Sequence, residues 1–224
     1  MGLNKQVAPD GEIRNAILFN ASKREIFTTN SGYKSLQKRL RSNWKIQSLK
    51  EDITAEKLEG VKLWITSVRN VYYKYFHPKE ALISNGVLNR EISRAAGKDI
   101  SMVIDEDGGG NNAQALTFLY PYGATLNIMK PAIAALSTGS VCFPLNRPIL
   151  GFYQSKGGKL AVLGSCHMFS DQYLDKEENA KILDVLMQWL TTNDIRLNQI
   201  DAEDPEISDY TIRALAVPLP ASGR

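Results

Sequence analysis

The chain has 224 residues, a formal net charge of +3, 43% hydrophobic residues and 23% charged residues. At roughly 150 residues per domain this is one domain, or one with a tail, able to bury a core without metals or disulfides. The composition excludes wholesale disorder, collagen-like repeats and a coiled-coil rod, and a pI of 8.7 is too mild to imply nucleic acid by itself.

Residues 1 to 13 carry Pro9, Asp10 and Gly11 and read as a disordered leader. Ala16 to Phe19 is a short apolar run, the mark of a buried strand. Ser31 is placed to N-cap the next helix, in which Tyr33, Leu36 and Leu40 form one stripe and lysine and arginine the other. Trp44 to Leu49 reads as a second strand, Thr54 to Leu58 as a short helix ended by Gly60, and Val61 to Ile65 as a third strand. Strand–helix–strand–helix–strand signals a parallel α/β sheet.

The middle of the chain is less regular. Val71 to Phe76 is β-prone, and Leu88 to Ala96 is a short helix stopped by Gly97. Gly108, Gly109, Gly110, Asn111 and Asn112 form a flexible break. Leu116 to Tyr120, Thr125 to Ile128 and Ala132 to Leu136 suit antiparallel strands divided by Pro121, Gly123 and Pro131. Ile149 to Tyr153 and Lys159 to Leu163 flank a Gly157-Gly158 turn. Lys176 to Leu190 is the clearest helix, with Ile182, Val185, Leu186 and Trp189 on one face and Asp175, Glu177 and Glu178 near its start. An acidic, then proline-containing tail runs over 201–224 and reads as unstructured, leaving 14–200 as the α/β domain.

Few residues invite a chemical reading. Cys142 and Cys166 are far apart, which excludes a disulfide-dense scaffold and a zinc knuckle. No apolar run approaches the ~20 residues of a membrane span, and Met1 to Glu12 is too polar for a signal peptide, so a reducing compartment is expected. Gly164-Ser165-Cys166-His167-Met168 follows a strand and resembles a nucleophile elbow, with Gly164 two before Cys166. Met168 breaks the small-residue rule, and His167 is too close in sequence to serve readily as the base, so a small buried thiol is the simpler reading. His167 and Asp171 are two ligands, short of a metal site, and His77 before Pro78 is a loop residue or lies N-terminal to a short helix started by Pro78. Gly108 to Gly110 lacks the Gly-Lys-Ser/Thr ending of a phosphate loop. Ser170 and Asp171 follow a strand's carboxyl end, where α/β proteins hold ligands, but capping of the following helix is the favoured reading.

Charge is segregated. The first fifty residues are rich in lysine and arginine, including Lys34, Lys38, Arg39 and Arg41, while Asp171 to Asp209 is acidic, including Glu203, Asp204 and Glu206. Solvated helix faces explain much of this; the alternative is two docking faces.

Longer runs carry more information. Ile17-Leu-Phe-Asn-Ala21, Glu25-Ile-Phe-Thr-Thr-Asn30, Leu40-Arg-Ser-Asn-Trp-Lys-Ile-Gln-Ser-Leu49, Val61-Lys-Leu-Trp-Ile-Thr66 and Lys74-Tyr-Phe-His-Pro-Lys79 resemble the N-terminal part of the intraflagellar transport protein 52 family. So do Asn111 to Thr117, Leu136 to Pro148 and Gly164 to Asp171, and the resemblance covers Ala16 to Tyr210. It implies an α/β domain shared with gliding-motility transporter subunits, Rossmann-like or flavodoxin-like and related to amidotransferases, with an antiparallel portion in the middle. It implies a non-enzymatic subunit of the intraflagellar transport B complex, located at the cilium, the ciliary base or basal body, and the cytoplasm. Other B-complex subunits are the expected partners; no cofactor, metal, nucleic acid, membrane or small-molecule substrate is expected. The family pattern continues after Ser67 with a Gly-Pro-Arg loop, a long helix, a Gly-Gly turn and a strand. Here Ser67 joins Val68-Arg-Asn-Val71 directly, as if exons were skipped, and the family's proline-rich middle and helical C-terminus do not follow Tyr210. Loss of a helix and strand from a parallel sheet predicts an exposed edge and a marginal fold.

The resulting expectation is a non-catalytic interaction domain that docks through Lys34, Lys38, Arg39 and Arg41 and through Glu203, Asp204 and Glu206. The competing readings are a cysteine hydrolase or amidotransferase-like enzyme at Cys166, and a glycan or small-molecule module near Ser165 and Asp171.

Overall fold

The computed structural model describes residues 15–67, 79–98 and 116–198. Strands β1 (Ala16–Asn20), β2 (Lys45–Leu49) and β3 (Val61–Ile65) form a parallel sheet in the order β2-β1-β3. The central strand β1 is buried at all five positions, which is why it reads as a continuous apolar run rather than an alternation. Helix α1 (Lys34–Leu40) makes the first crossover. The second carries only a one-turn 3-10 helix, Glu56–Leu58, in place of the expected short helix. Gly60, at φ +70°, turns the chain into β3.

The remaining strands pair antiparallel. Strand β4 (Glu80–Ile83) lies beside β5 (Phe118–Pro121). Strands β6 (Ile133–Ser137), β7 (Pro148–Ser155) and β8 (Gly158–Leu163) form a third sheet in that order. The expectation is a mainly parallel sheet with an antiparallel portion in the middle; the chain is mixed α/β with both kinds of sheet, and among the described residues the parallel part is confined to β1–β3. The β6–β7 and β7–β8 connections are a loop and a tight turn, too short for parallel crossovers. Thr125 to Ile128 is not a strand: its backbone contact is Leu126 N donating to Pro148 O at 2.7 Å. The expected strand Val71 to Phe76 lies outside the described residues.

Helix α2 (Arg90–Ala95) is capped by Asn89, whose side chain accepts from Glu91 N. Helix α3 (Asn179–Thr191) starts later than the sequence pattern indicates, because Glu177 holds a φ of +47° that no α-helix can include. Its apolar face, with Ile182, Val185 and Trp189, enters the core, and Trp189 stacks on Phe152 of β7 with ring centroids 4.1 Å apart.

Two residues at the start of α3 join the sheets. Asn179 is fully buried; its Nδ2 donates to the carbonyls of Leu119, Met168 and Tyr173, and its Oδ1 accepts from Leu119 N at 3.0 Å. Glu178 Oε2 accepts from Thr117 N at 2.8 Å, while Oε1 meets Lys98 at 2.9 Å and Lys181 at 2.8 Å. A single core cluster runs from Ile17 and Phe19 through Leu36, Ile83, Phe118 and Leu136 to Trp189. The parallel sheet and the later elements therefore share one interior.

Candidate functional site

Helix α1 presents the charge that the sequence singles out. Tyr33, Leu36 and Leu40 are buried, so the opposite side faces solvent, with Lys34, Lys38, Arg39 and Arg41 exposed. Ser31 does not cap the helix, because its backbone pairs with Thr28 (Thr28 N to Ser31 O 2.7 Å). The cap comes from far along the chain: Asp171 Oδ1 accepts from Ser35 N at 2.6 Å, and Asp171 N donates to Gly32 O at 2.8 Å. A carboxylate there satisfies a free N–H and suits the helix dipole. Asp171 thus caps α1 and not the helix that follows it in sequence.

The four cations are not equivalent. Arg39 grips Asp184 of α3 with both guanidinium edges, Nε to Oδ1 at 2.9 Å and the terminal nitrogen to Oδ2 at 2.5 Å, and this bond raises its pKa further. It serves as a tie between α1 and α3. Lys34 and Lys38 carry no ion pair among the described residues. The outward basic face is therefore Lys34, Lys38 and Arg41. Its expected acidic counterpart, Glu203, Asp204 and Glu206, lies outside the described residues, as do His77 and Gly108 to Gly110.

The cysteine turn is built for structure. Strand β8 ends at Leu163 and the chain passes into a turn, not a helix, before α3. A Cβ on Gly164 would sit 2.0 Å from Ala124 O and 2.4 Å from Tyr120 Oη, so only glycine allows this approach. Ser165 is buried, donates to Pro121 O and accepts from His167 N at 3.2 Å. The Tyr33 hydroxyl donates to Cys166 O at 2.8 Å. Met168, the residue that breaks the elbow pattern, is fully buried in the core. Burial pushes the Cys166 thiol up, against a smaller opposing effect of the Ser67 hydroxyl. His167 turns its ring to Phe27 (centroids 4.8 Å, edge-on) and Tyr122 (5.0 Å), and burial lowers its pKa. A thiol held protonated beside an imidazole engaged with aromatic rings is not an activated nucleophile. Cys166 should therefore alkylate with iodoacetamide at neutral pH more slowly than free cysteine, read by mass spectrometry; faster labelling would restore the hydrolase reading.

The other ligand readings fare similarly. His167 and Asp171 do not share a helix face, because 167–171 is a turn. No group of three or more His, Cys, Asp or Glu able to hold a metal occurs among the described residues. Ser165 and Asp171 are both committed to internal hydrogen bonds. At the carboxyl end of β1, where a parallel sheet receives ligands, Asn20 donates to Glu25 of the following loop, and Lys23 pairs with Asp52 at 2.9 Å on the exposed surface. No helix among the described residues is long and apolar enough to cross a membrane. Sequence reasoning missed Asn179 and the exposed Phe143. A buried asparagine and a surface phenylalanine each defy the usual assignment of their type, so composition gives no signal for either.

Comparison with known proteins agrees in one direction. The model of the IFT52 GIFT domain matches residues 16–67 and 65–203, in two pieces that overlap at 65–67. The chain is 63% identical over 260 residues to "Intraflagellar transport protein 52 homolog" of Mus musculus, covering 90% of this chain and 61% of that protein. The Homo sapiens homolog is 63% identical over 257 residues, covering 89% and 59%. This chain thus spans about three fifths of the length of the curated relatives it matches. Since 90% of 224 residues is about 202, about 58 positions within the matched stretch of the mouse protein have no counterpart here. A solved structure, "mmIFT52 N-terminal domain", superposes with a TM-score of 0.65 at 57% identity, covering 81% of this chain and all of that one.

Proposed function

This chain belongs to the intraflagellar transport protein 52 family through its GIFT domain, and we propose that it acts as a non-enzymatic interaction domain of the intraflagellar transport B complex. It is a scaffold for ciliary assembly and cargo transport, working at the cilium, the ciliary base or basal body, and the cytoplasm. Its partners are other subunits of that complex, and it takes no small-molecule substrate. The finer fold is Rossmann-like and amidotransferase-like, with the block after Ser67 absent, over a domain of residues 14–200; the two-piece family match and the unmatched positions in the mouse relative support that absence.

The observation that carries the reading is a division of labour among side chains. At the cysteine turn the Ser165 and Asp171 side chains are hydrogen-bonded within the fold, the His167 ring packs on Phe27 and Tyr122 and Cys166 is half-buried, whereas Lys34, Lys38 and Arg41 stand outward on a helix fixed at its start by Asp171. Charge of this kind sets encounter and register with an acidic partner surface. The acidic segment with Glu203, Asp204 and Glu206 is a second docking face for a basic partner.

The test is binding of the full chain to reconstituted B-complex subunits at low and high salt. The triple substitution Lys34→Glu, Lys38→Glu, Arg41→Glu should weaken binding about tenfold or more at low salt, and the difference should shrink as salt screens the face. Unchanged affinity at low salt would remove the basic face from the account.

A further inference from the structure

The β6–β7–β8 sheet and the segment that follows α3 border a cavity of about 510 Å³. The strand ladder explains one side of it. Ile133 pairs with Phe152 and Gln154 with Lys159, and Phe152 and Gln154 stand two residues apart, so all four share one face of the sheet. Asn193, Arg196 and Leu197 continue the lining from the segment after α3. Phe152 and Trp189 stack on each other at 1% and 2% exposure, so they form a closed floor that nothing enters. The accessible surface belongs to the walls. Ile133, Lys159 and Leu197 are half-buried, and Gln154, Asn193 and Arg196 are exposed at the mouth.

Charge in this lining has one sign. Among the described residues that border the cavity, Lys159 and Arg196 are charged and none is an aspartate or glutamate. Lys159 Nζ donates to Trp189 O at 2.8 Å and to Thr192 O, at the carbonyl end of α3. Those two bonds fix the ammonium in place and leave its third proton for an occupant. Burial, and after it the charge of Lys62, disfavour that ammonium, and Asp194 only partly offsets them, so an anion beside it would be welcome. Arg196 has no hydrogen bond or ion pair among the described residues, and the side-chain amides of Gln154 and Asn193 have no hydrogen bond there either. A held cation, an uncommitted guanidinium and two uncommitted amides around an apolar recess are the few convergent polar groups that orient a ligand.

The two cations select an acidic occupant, and the half-buried Ile133 and Leu197 select an apolar group beside the acid. The volume falls within the range of about 300–1,000 Å³ that ligand sites occupy. A free acid would use the cations alone. Amides at the mouth, each able to donate and to accept, match the N–H and C=O of a peptide backbone. We propose that this cavity docks a partner peptide in which a leucine-sized side chain lies within three positions of an aspartate or glutamate. The apolar group rests against Ile133 and Leu197, and the carboxylate meets Arg196 and Lys159. This rests on the interaction-domain reading and adds to it a surface with sequence preference. Bare charge on α1 steers encounter, whereas charge beside a shaped apolar recess discriminates among acidic segments.

Fluorescence polarisation of the full chain against an array of labelled seven-residue peptides tests this. The array places leucine, isoleucine or methionine one, two or three positions before or after an aspartate or glutamate. A subset should bind in the micromolar range. Replacing the apolar residue by alanine, or the acid by its amide, should each weaken the best of them about tenfold or more. On the protein, Arg196→Glu should do the same and Arg196→Lys should retain most of the affinity. Gln154→Trp, which obstructs the mouth, should abolish binding. Both positions are exposed, and an unchanged near-ultraviolet circular dichroism spectrum confirms that each variant is folded. An array with no binder up to millimolar concentration would overturn the proposal, as would binders indifferent to Arg196→Glu and Gln154→Trp. If 4-methylpentanoate, which carries a leucine-like chain and a carboxylate, bound as tightly as the best peptide, the occupant would be a small acid and the peptide assignment would be wrong. Peptide binding lost on Lys34→Glu, Lys38→Glu, Arg41→Glu but kept in Arg196→Glu would place the peptide on α1 and also overturn it. Failure at the cavity leaves the basic-face reading standing, because that is read with B-complex subunits and different substitutions.

Discussion

Replacing Asn179 by alanine should lower the unfolding free energy by about 3–5 kcal/mol, among the largest costs of a single substitution. The side chain is fully buried and serves Leu119 on both its N–H and its carbonyl, with Met168 and Tyr173 sharing the same amide. Alanine removes all of these partners at once and leaves backbone groups without water to replace them. The strand β5, the turn after Cys166 and the start of α3 would lose their common fastening together. Urea unfolding followed by tryptophan fluorescence measures it, with Asn193→Ala, an exposed site, as the near-neutral reference. A loss below about 1 kcal/mol would mean that these groups find other partners, and the hub assignment would be wrong.

Acid should unfold the protein partly through Glu178. Burial by itself would raise that carboxyl, but Lys181, the Thr117 N–H and Lys98 outweigh it and hold the pKa at about 2, below the ordinary 4.5. A carboxylate with a depressed folded-state pKa adds stability above its unfolded pKa, and that stability is lost as pH falls through the folded one. The window here is therefore about pH 4.5 down to about 2. At 1.36 kcal/mol per unit the contribution at neutral pH is about 3 kcal/mol, of which Glu178→Gln should remove about 2 to 3. The Glu178→Gln variant should be less stable at pH 7, and the two stability curves should converge as pH falls toward 2. Parallel curves across that window would show that Glu178 contributes packing rather than charge.

Much of the fold is visible in the sequence where one physical rule dominates. Ala16 to Phe19 reads as a buried strand because both of its faces are covered, and Val61 to Ile65 is observed with the expected bounds. Gly60 and Gly97 mark stops because both need positive φ. What is not visible depends on tertiary partners. Ser31 has the right chemistry for an N-cap, yet Asp171 takes the role because the cysteine turn packs against the start of α1. Lys176 extends the apolar-periodic helix on paper, but the left-handed Glu177 stops it. Of the candidate site, the basic stripe of α1 is legible from spacing, whereas the diversion of Arg39 to Asp184 depends on the placement of α3 and is invisible to spacing. The inert character of Cys166 is half legible: Met168 already breaks the elbow, and the burial of the thiol and the turn of His167 toward Phe27 complete the case.

The account depends most on the claim that the segments before and after Ser67 share one core, with a block of the family pattern absent between them as we propose. Thermal unfolding of the full chain, followed together by near-ultraviolet and far-ultraviolet circular dichroism, tests that claim most directly. The shared cluster from Ile17 to Trp189 predicts a strong near-ultraviolet signal that is lost in a single cooperative transition, at the same temperature as the secondary structure. A shallow far-ultraviolet melt with no near-ultraviolet signal would mean secondary structure without fixed packing, and the block that we propose is absent would then be indispensable to the domain.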